Sequence, residues 1–440
     1  AQNSIAGSLA IHVVTTDVKA LVLDGATLNL NGADLSFTAT STTVVTTSAT
    51  PTDQGGSTGD GLGVGASVAL YIGTNTTTAA IEGSGLGNGA ASNIDALTLA
   101  ASGTHTDTTT ASGGASGGGT VVGGAIAIAV VNDTTSTDLG ATGALQTGGA
   151  ISATAIHSGD STITANGAAL GGSTAVGAAL ALAFIDNRTS STSRRNVTSG
   201  GAVTLSAKST GKSAVTAEAS TEGTDSSDET AGNSDAQRNE QVGFADGRTS
   251  ENLGSQVGSD KSASKSGSGG GNVGVAAAFA LNVSGNVAEA EVEAGTLTAT
   301  GLTLESRAEM DSSATADGSA AAEGGGTQIG AAVAVNAATL TNTASVAPVA
   351  AVTLTGAGGL TIRALRAEND SVNDFGASAT SGASGGDTGV AGSFALSIVD
   401  ADTRAALNGD AAAGGGDVTI TAEDQSVDTV AATAAQEGGS

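Results

Sequence analysis

Three histidines are the side chains of this sequence best suited to bind a transition metal or to transfer a proton. His12, His105 and His157 are separated by 93 and 52 residues, whereas metal-binding motifs place at least some of their ligands a few residues apart. Cysteine is absent, so the chain has neither a thiolate ligand nor a disulfide. We therefore predict that the three histidines are surface residues, and we assign them to no metal site.

Short motifs typical of catalytic loops occur in this chain, but each lacks part of its mechanism. The Gly-x-Ser-x-Gly pattern of nucleophile elbows appears at 114–118 and 382–386, within glycine-rich, low-complexity segments. Residues 211–213 resemble the end of a phosphate loop, yet Ser206 stands where its first glycine belongs. The glycines of 269–274 have dinucleotide-loop spacing but precede a strand pattern instead of a helix. We predict that the protein is not an enzyme.

Aspartates recur where the sequence predicts turns, and stacked turn carboxylates can hold Ca²⁺ together with backbone carbonyls. The candidate ligands are Asp133, Asp186, Asp400 and Asp402. The sequence lacks the Gly-Gly-x-Gly-x-Asp repeat of calcium β-rolls, and solvated turn residues are the alternative interpretation. Ca²⁺ is the one metal that the sequence suggests, and no other cofactor is predicted.

The charge balance excludes several classes of partner. The chain has 440 residues, with 42 acidic and 14 basic side chains and a net charge of -28. Such a surface repels the phosphates of nucleic acids and the headgroups of anionic membranes. The longest apolar stretch, near 121–131, is far shorter than a membrane span. We expect no nucleic-acid partner and no membrane insertion.

An apolar sequence motif, which we call the first phrase, alternates small and large residues and recurs seven times. The steps between copies are 59, 58, 54, 97, 56 and 61 residues. A repeat of this period indicates a stacked array. Because the chain begins on one copy and ends where the next is due, we expect it to be part of a longer array. The copies begin at Ala6, Gly65, Gly123, Gly177, Gly274, Gly330 and Ala391.

A second phrase follows each copy of the first and alternates large apolar residues with Thr or Ser. This period of two predicts a half-buried strand. Segments rich in Gly, Asn and Asp separate the phrases and are predicted to be turns, including 73–75, 132–133 and 186–187. The copies begin at Leu35, Leu97, Ile151, Val203, Leu302, Leu360 and Val418.

These patterns predict an all-β, repetitive β-solenoid, a parallel β-helix-like rod of seven repeats of about 57 residues each. We expect two coils of about 28 residues per repeat, which makes fourteen coils and a rod of about 70 Å. The alternative is a row of antiparallel hairpins or small sandwiches.

Repeats 1–4 occupy 1–217 and repeats 5–7 occupy 272–440. The 97-residue step predicts an acidic, polar insertion at 218–271, either a flexible loop or a ligand-binding decoration.

The first phrase predicts strands with two different faces. We expect the large residues, such as Ile126, Ile128 and Val130, to fill the coil interior. The opposite face of Ala, Ser and Gly is too apolar to be solvated, so we predict that it mates with another layer. That layer is either the chain's own or a neighbouring protomer's. The residues of this predicted assembly face are Ser67, Ala69, Ala125, Ala127, Ala179, Ala181, Ala278, Ala332, Ala334, Ser393 and Ala395.

The alanine-rich phrases, the Asn/Asp-Thr-Thr segments and the Gly-Gly-x-Leu-Thr-Leu-type phrases resemble the repeat regions of large bacterial filamentous adhesins. The leukotoxin-family adhesins are the most similar, and haemagglutinin-like β-helices are more distant. The resemblance covers the chain except the insertion. It implies an extracellular, cell-surface structural protein that forms or decorates a filament. Its partners would be itself, as a homopolymer or a longer array of the same repeats, and cell-surface glycans. No catalytic residues carry over.

Two other functions are compatible with a solenoid. One is a ligand-binding solenoid for polysaccharide or ice, for which Thr-rich segments such as 76–78 and 108–110 are suited but do not repeat in register. The other is a β-helix polysaccharide lyase, which needs basic residues that the repeats lack.

Overall fold

The computed structural model describes residues 3–24, 26, 30–51, 57–59, 61–82, 94–171, 173–222, 273–321, 326–368 and 371–437. Within this part of the chain the regular elements are all β-strands. In chain order they are β1 (Asn3–Val22), β2 (Ala33–Ala49), β3 (Ser57–Gly59), β4 (Leu62–Ile81), β5 (Ile94–Gly117), β6 (Thr120–Asp138), β7 (Ala144–Thr147), β8 (Ile151–Leu170), β9 (Thr174–Ser193), β10 (Asn196–Ser199), β11 (Val203–Glu222), β12 (Val273–Val292), β13 (Gly295–Ala299), β14 (Leu302–Ala321), β15 (Thr327–Val346), β16 (Ala350–Leu354), β17 (Leu360–Arg366), β18 (Asn373–Ser384), β19 (Thr388–Leu407), β20 (Asp410–Ala412), β21 (Val418–Ala422) and β22 (Ser426–Glu437).

The strands form three parallel sheets. The front sheet has the order β1-β4-β6-β9-β12-β15-β19, and the short side sheet has the order β20-β16-β13-β10-β7. The back sheet runs β2-β5-β8-β11-β14-β17-β21, with β18 and β22 continuing it beyond β14 and β3 beside β5. Parallel pairing of equivalent strands from successive repeats confirms the repetitive β-solenoid. The antiparallel alternative is wrong, because every pairing between described strands is parallel.

Each repeat makes one coil, so the prediction of two coils per repeat is wrong. In the third repeat, for example, the front strand β6 leads to the short side strand β7 and then to the long back strand β8. Register partners in the front sheet, such as Ala69 and Ala127, are one whole repeat apart. Six spacings of about 4.8 Å make the seven-stranded front sheet about 29 Å wide. The coils are therefore half as many and twice as wide as the sequence suggested.

The strands are long because the predicted turns at Asn and Asp residues do not form. Asn75, Asp133 and Asn187 lie in the middle of front strands, in register with one another, and point inward. The Asn75 side-chain amide donates to Asp133 Oδ1 at 2.6 Å. Such side-chain partners compensate for the burial of polar groups, so the strand continues through residues that usually end it. Gly148 and Gly149, in contrast, do connect a side strand to a back strand as predicted.

The interior narrows toward one edge, where the front and back sheets meet at backbone distance. A Cβ added to Gly123 of the front sheet would lie 1.9 Å from the carbonyl oxygen of Ala168. A Cβ on Gly167 of the back sheet would lie 1.9 Å from the carbonyl oxygen of Ala178. These positions accept glycine alone, since no real Cβ approaches a backbone oxygen so closely. The glycines of the repeated phrases therefore set the sheet separation at this edge.

The interior widens toward the side sheet. Next to the glycine edge lies a core of alanines from the front sheet packed on alanines and a few larger residues of the back sheet. The side sheet closes the opposite edge over a core of larger residues, among them Ile81, Leu99, Leu145 and Leu205. A layer of polar residues lies between these two cores. The cross-section is thus a wedge whose side-chain size increases from Gly through Ala to Leu.

The predicted insertion falls almost wholly on residues 223–272, which lie outside the described residues. Its first residues, 218–222, belong to β11. The described part of the chain contains no helix with the length and hydropathy to cross a membrane.

Candidate functional site

The outer surface of the front sheet is apolar, which corrects the prediction that the large residues fill the interior. Val130, Phe184 and Phe279 expose 39%, 41% and 36% of their surface. Ile126 and Ile128 are on the same side and are half-buried by their neighbours within the sheet. The inner positions that alternate with these large residues are mostly Ala and Gly, with the buried Tyr71 as an exception.

The predicted assembly face lies inside the wedge, against the chain's own back sheet. Of the two layers considered for it, the structure therefore places the chain's own layer there. Most of these residues are fully buried, and only the last two, on the terminal front strand β19, are half-buried. They are Ser67, Ala69, Ala125, Ala127, Ala179, Ala181, Ala278, Ala332, Ala334, Ser393 and Ala395. Contact between two chains through this face would require the two sheets to separate.

The outer apolar face, as we name it, comprises the outward positions of the seven front strands in register with Ile5, Gly7, Leu9, Ile11 and Val13. None of these positions carries a charged residue. Eight residue steps along the strands and six spacings across them make an area of about 26 Å by 29 Å. That is about 750 Å², and it exceeds the largest apolar patch of a typical monomer.

The four aspartates predicted as Ca²⁺ ligands do not come together. Asp133 points into the interior, whereas Asp186, Asp400 and Asp402 are on the outer side of the front sheet and exposed. Asp186 and Asp400 lie three strands apart, because β12 and β15 separate β9 from β19. The described residues therefore do not assemble the predicted Ca²⁺ site.

Two of the three histidines are buried, which corrects their predicted surface position. His12 is exposed on β1, but His105 and His157 are 4% and 0% exposed. They come from the back strands β5 and β8, and their ring centroids lie 5.5 Å apart. Asp133 of the front strand β6 faces them, with Oδ2 at 3.8 Å from His157 Nε2. One ligand atom from each of these three residues lies within 4.8 Å of the other two.

Buried polar neighbours surround this group. Thr135 Oγ1 lies 3.4 Å from His157 Nδ1, and Ser161 Oγ donates to Asp107 Oδ1 at 2.5 Å. Both nitrogens of His105 lack a hydrogen-bond partner, as does the side-chain oxygen of Asn187. We call His105, Asp107, Asp133, His157 and Asn187 the polar layer. Its unpartnered atoms are costly in a dry interior, where each costs about 1–3 kcal/mol.

Burial shifts the protonation of the polar layer toward neutral forms. It lowers the pKa of His105 to about 4. The pKa of His157 falls to about 3 through burial and the adjacent His105. Burial raises the pKa of Asp133 to about 6 in spite of the hydrogen bond from Asn75. It raises the pKa of Asp107 to about 7, with a further contribution from the negative charge of Asp133. At neutral pH both imidazoles are unprotonated, the form in which imidazole binds metals.

Sequence reasoning missed this group because the strands were predicted to be short. His105 follows Leu97 by eight residues, and His157 follows Ile151 by six. In an uninterrupted strand an even offset places both imidazoles on the buried side with Leu97 and Ile151. The signal was therefore present, but it depends on a strand that continues through 103–107.

Comparison with known proteins adds no assignment to these features. No protein-family model matches the chain, and no curated protein or solved structure matches it significantly.

Proposed function

We propose that this protein is a structural repeat protein that associates with further copies of itself through the outer apolar face. The observation that carries the proposal is an uncharged area of about 750 Å² on a chain with net charge -28. From the sequence we predicted self-association through the opposite face of the same strands. That face is occupied by the back sheet, so the proposal moves to the outer side.

The size of the outer apolar face favours a second copy of this chain as its occupant. A stable protein–protein interface buries about 800 Å² on each partner, and the outer apolar face is close to that size. Sheets stack face to face at about 10 Å when their side chains interdigitate. The alternation of a Gly/Ala row with rows of Leu, Ile, Val and Phe supplies the depressions and ridges that such packing needs.

Charge also favours contact at this face. Two chains with a net charge of -28 repel each other over most orientations. Face-to-face contact at the outer apolar face brings no carboxylates together within the contact. Exposed charges such as Asp186 and Arg188 begin only beyond its margin, so they act as a polar rim.

The wider setting of the proposal comes from the resemblance to filamentous adhesins. We propose that the protein lies outside a bacterial cell, at its surface, as part of or attached to a filament, with cell-surface glycans as ligands of the assembled form. We assign it a structural and adhesive function and no catalytic activity.

The test compares two isoleucines of similar exposure on opposite outer surfaces. Ile72 on the front sheet is 37% exposed, and Ile156 on the back sheet is 43% exposed. Ile72→Lys and Ile156→Lys change the net charge equally, but only the first places an ammonium group in the proposed contact. We expect wild-type chains to associate in analytical ultracentrifugation and to form ordered assemblies in electron microscopy. Ile72→Lys should raise the dissociation constant about tenfold or more, whereas Ile156→Lys should leave it unchanged.

Two results would contradict this proposal. One is a wild-type chain that stays monomeric at all concentrations accessible to ultracentrifugation. The other is an equal loss of association in both lysine variants, which would indicate a general effect of charge. Circular dichroism of each variant establishes that the β-structure is retained.

A further inference from the structure

The interior contains one group of residues for which the proposed structural function has no use. His105, Asp133 and His157 converge from β5, β6 and β8, and one ligand atom of each lies within 4.8 Å of the others. All three side chains are at least 96% buried. Both nitrogens of His105 and Nε2 of His157 lack a hydrogen bond of normal geometry. A dry interior that leaves imidazole nitrogens unpartnered is less stable than an apolar one of the same volume.

Further along the stack the same fold places an apolar residue at the position of Asp133. The row that contains Asn75, Asp133 and Asn187 continues through Asn286 to Leu340. There Leu340 packs with Met310 and Phe375 in an apolar cluster. The solenoid therefore does not need a carboxylate at this position in order to fold, and a bound cation would account for the one in the earlier coil.

Glycines keep the space around the imidazoles open. A Cβ on Gly159 would lie 3.0 Å from His157 Nε2, and a Cβ on Gly103 would lie 3.1 Å from His105 Nε2. A side chain at either position would therefore crowd a ring nitrogen that the proposed ion needs.

We propose that His105, Asp133 and His157 bind a divalent transition-metal ion, and that Zn²⁺ is the ion that fits best. Two imidazole nitrogens and one carboxylate form a common ligand set of Zn²⁺, whose ligands lie at about 2.0–2.2 Å. Ligand atoms of a tetrahedral site are then about 3.4 Å apart, so the three side chains need to close by about 1 Å. The unpartnered amide oxygen of Asn187, which lies beside Gly159 and His157, is the candidate for the fourth ligand.

The charges of the layer suit a divalent cation. The Asp133 carboxylate lies 3.8 Å from His157 Nε2 and, when ionised, neutralises one of the two positive charges. Since the site is enclosed by two sheets, the ion would enter as the chain folds and would stabilise the folded coils.

Refolding of the full chain tests this site. The protein is unfolded in denaturant with EDTA, freed of metal, and refolded either with one equivalent of ZnCl₂ or in metal-free buffer. We expect one Zn²⁺ per chain after dialysis and a Tm at least about 3 °C higher than that of the metal-free protein. Refolding with CoCl₂ should give the visible absorption of Co²⁺ in a site of low symmetry.

Variants locate the ion. His105→Gln and His157→Gln should each abolish stoichiometric Zn²⁺ and the Co²⁺ absorption. His12→Gln, at the exposed histidine, and Asp107→Asn, in the same layer but outside the ligand set, should retain Zn²⁺. If a ligand variant does not fold, the measurement on the wild-type chain still decides the question.

The proposal fails if the refolded wild-type chain holds less than about a tenth of an equivalent of Zn²⁺ and shows no change in Tm. It also fails if both ligand variants keep the ion. Neither outcome bears on self-association, which is measured on metal-free protein through residues of the outer apolar face.

Discussion

The inner and outer faces of the front sheet are formed by the same strands but differ in the size and exposure of their side chains. On the inner face, Ala127 and Ala181 are fully buried against the back sheet. On the outer face, Phe184 and Phe394 remain 41% and 53% exposed although they are among the most apolar residues of the chain. The size of the side chains, and not their hydrophobicity alone, therefore decides which side of a front strand faces the interior. A sheet with two apolar faces is typical of a layer that is covered on both sides.

The difference between the inner and outer faces is tested most directly by adding one methyl group to each face at adjacent residues. Gly123 points inward, and its Cβ would lie 1.9 Å from the Ala168 carbonyl oxygen, whereas Gly124 points outward and has no atom within 4 Å of its Cβ position. Gly123→Ala must push the two sheets apart, so we expect a loss of about 3 kcal/mol or more in the free energy of unfolding.

Gly124→Ala is the matched control. Because the added methyl group meets no atom and reduces the freedom of the unfolded chain, we expect the stability to stay equal or to rise by about 0.5 kcal/mol. Urea denaturation followed by circular dichroism measures both variants. Equal stability of the two would show that the sheets at this edge are not in backbone contact.

Truncation of a leucine should also lower the free energy of unfolding by an amount that depends on the face. Leu205 is fully buried in the wide core, and Leu396 is 37% exposed on the outer apolar face. Leu205→Ala leaves a cavity and should cost about 2–5 kcal/mol of folding free energy. Leu396→Ala leaves none, so it should cost less than about 1 kcal/mol in dilute, monomeric protein.

Association should show the reverse order for the same pair. Leu396→Ala should weaken self-association in sedimentation, whereas folded Leu205→Ala should associate like the wild type. A Leu396→Ala chain that loses as much folding stability as Leu205→Ala would mean that the outer face is covered by the chain's own residues.

The sequence was sufficient to predict strands, their repetition and their two faces, but it did not show which face lies inside. The alternation of Ala127 with Ile126 and Ile128 is the same whichever side is buried. The choice follows from the distance to the back sheet, which is set by glycines such as Gly167 that contact the front sheet from a distant part of the coil. That contact is a property of the folded coil, so a strand considered alone does not contain it.

Coil width and the polar layer were missed for a related reason. Asn75, Asp133 and Asn187 are turn-forming residues by local preference. In the folded chain they find partners or one another across neighbouring coils, as the hydrogen bond from Asn75 to Asp133 shows. Local propensity therefore predicted turns where stacking of the repeats made continuous strands, and the histidines were placed on the wrong side as a consequence.

The outer surface of the back sheet supplies the mildest test, because it is charged where the outer apolar face is not. Asp311 lies in register with Lys212 and Asp374 on this surface. Partial burial, together with the negative charges of Glu309 and Asp374, raises the pKa of Asp311 to about 7, although Lys212 opposes this. An aspartate in the unfolded chain has a pKa near 3.9.

The sign of the pH effect follows from these two pKa values. Between about pH 4 and pH 7 the folded chain holds a proton on Asp311 that the unfolded chain has released, so this residue lowers the free energy of unfolding as the pH rises through that window. Asp311→Asn removes this dependence. We expect the variant to gain about 1–2 kcal/mol relative to wild type between pH 4 and pH 8, less than the full shift implies because solvent partly screens the site. Urea denaturation at both pH values measures this difference. A constant difference across the range would mean that Asp311 is ionised in the folded chain, and that the back sheet tolerates crowded carboxylates which the outer apolar face excludes.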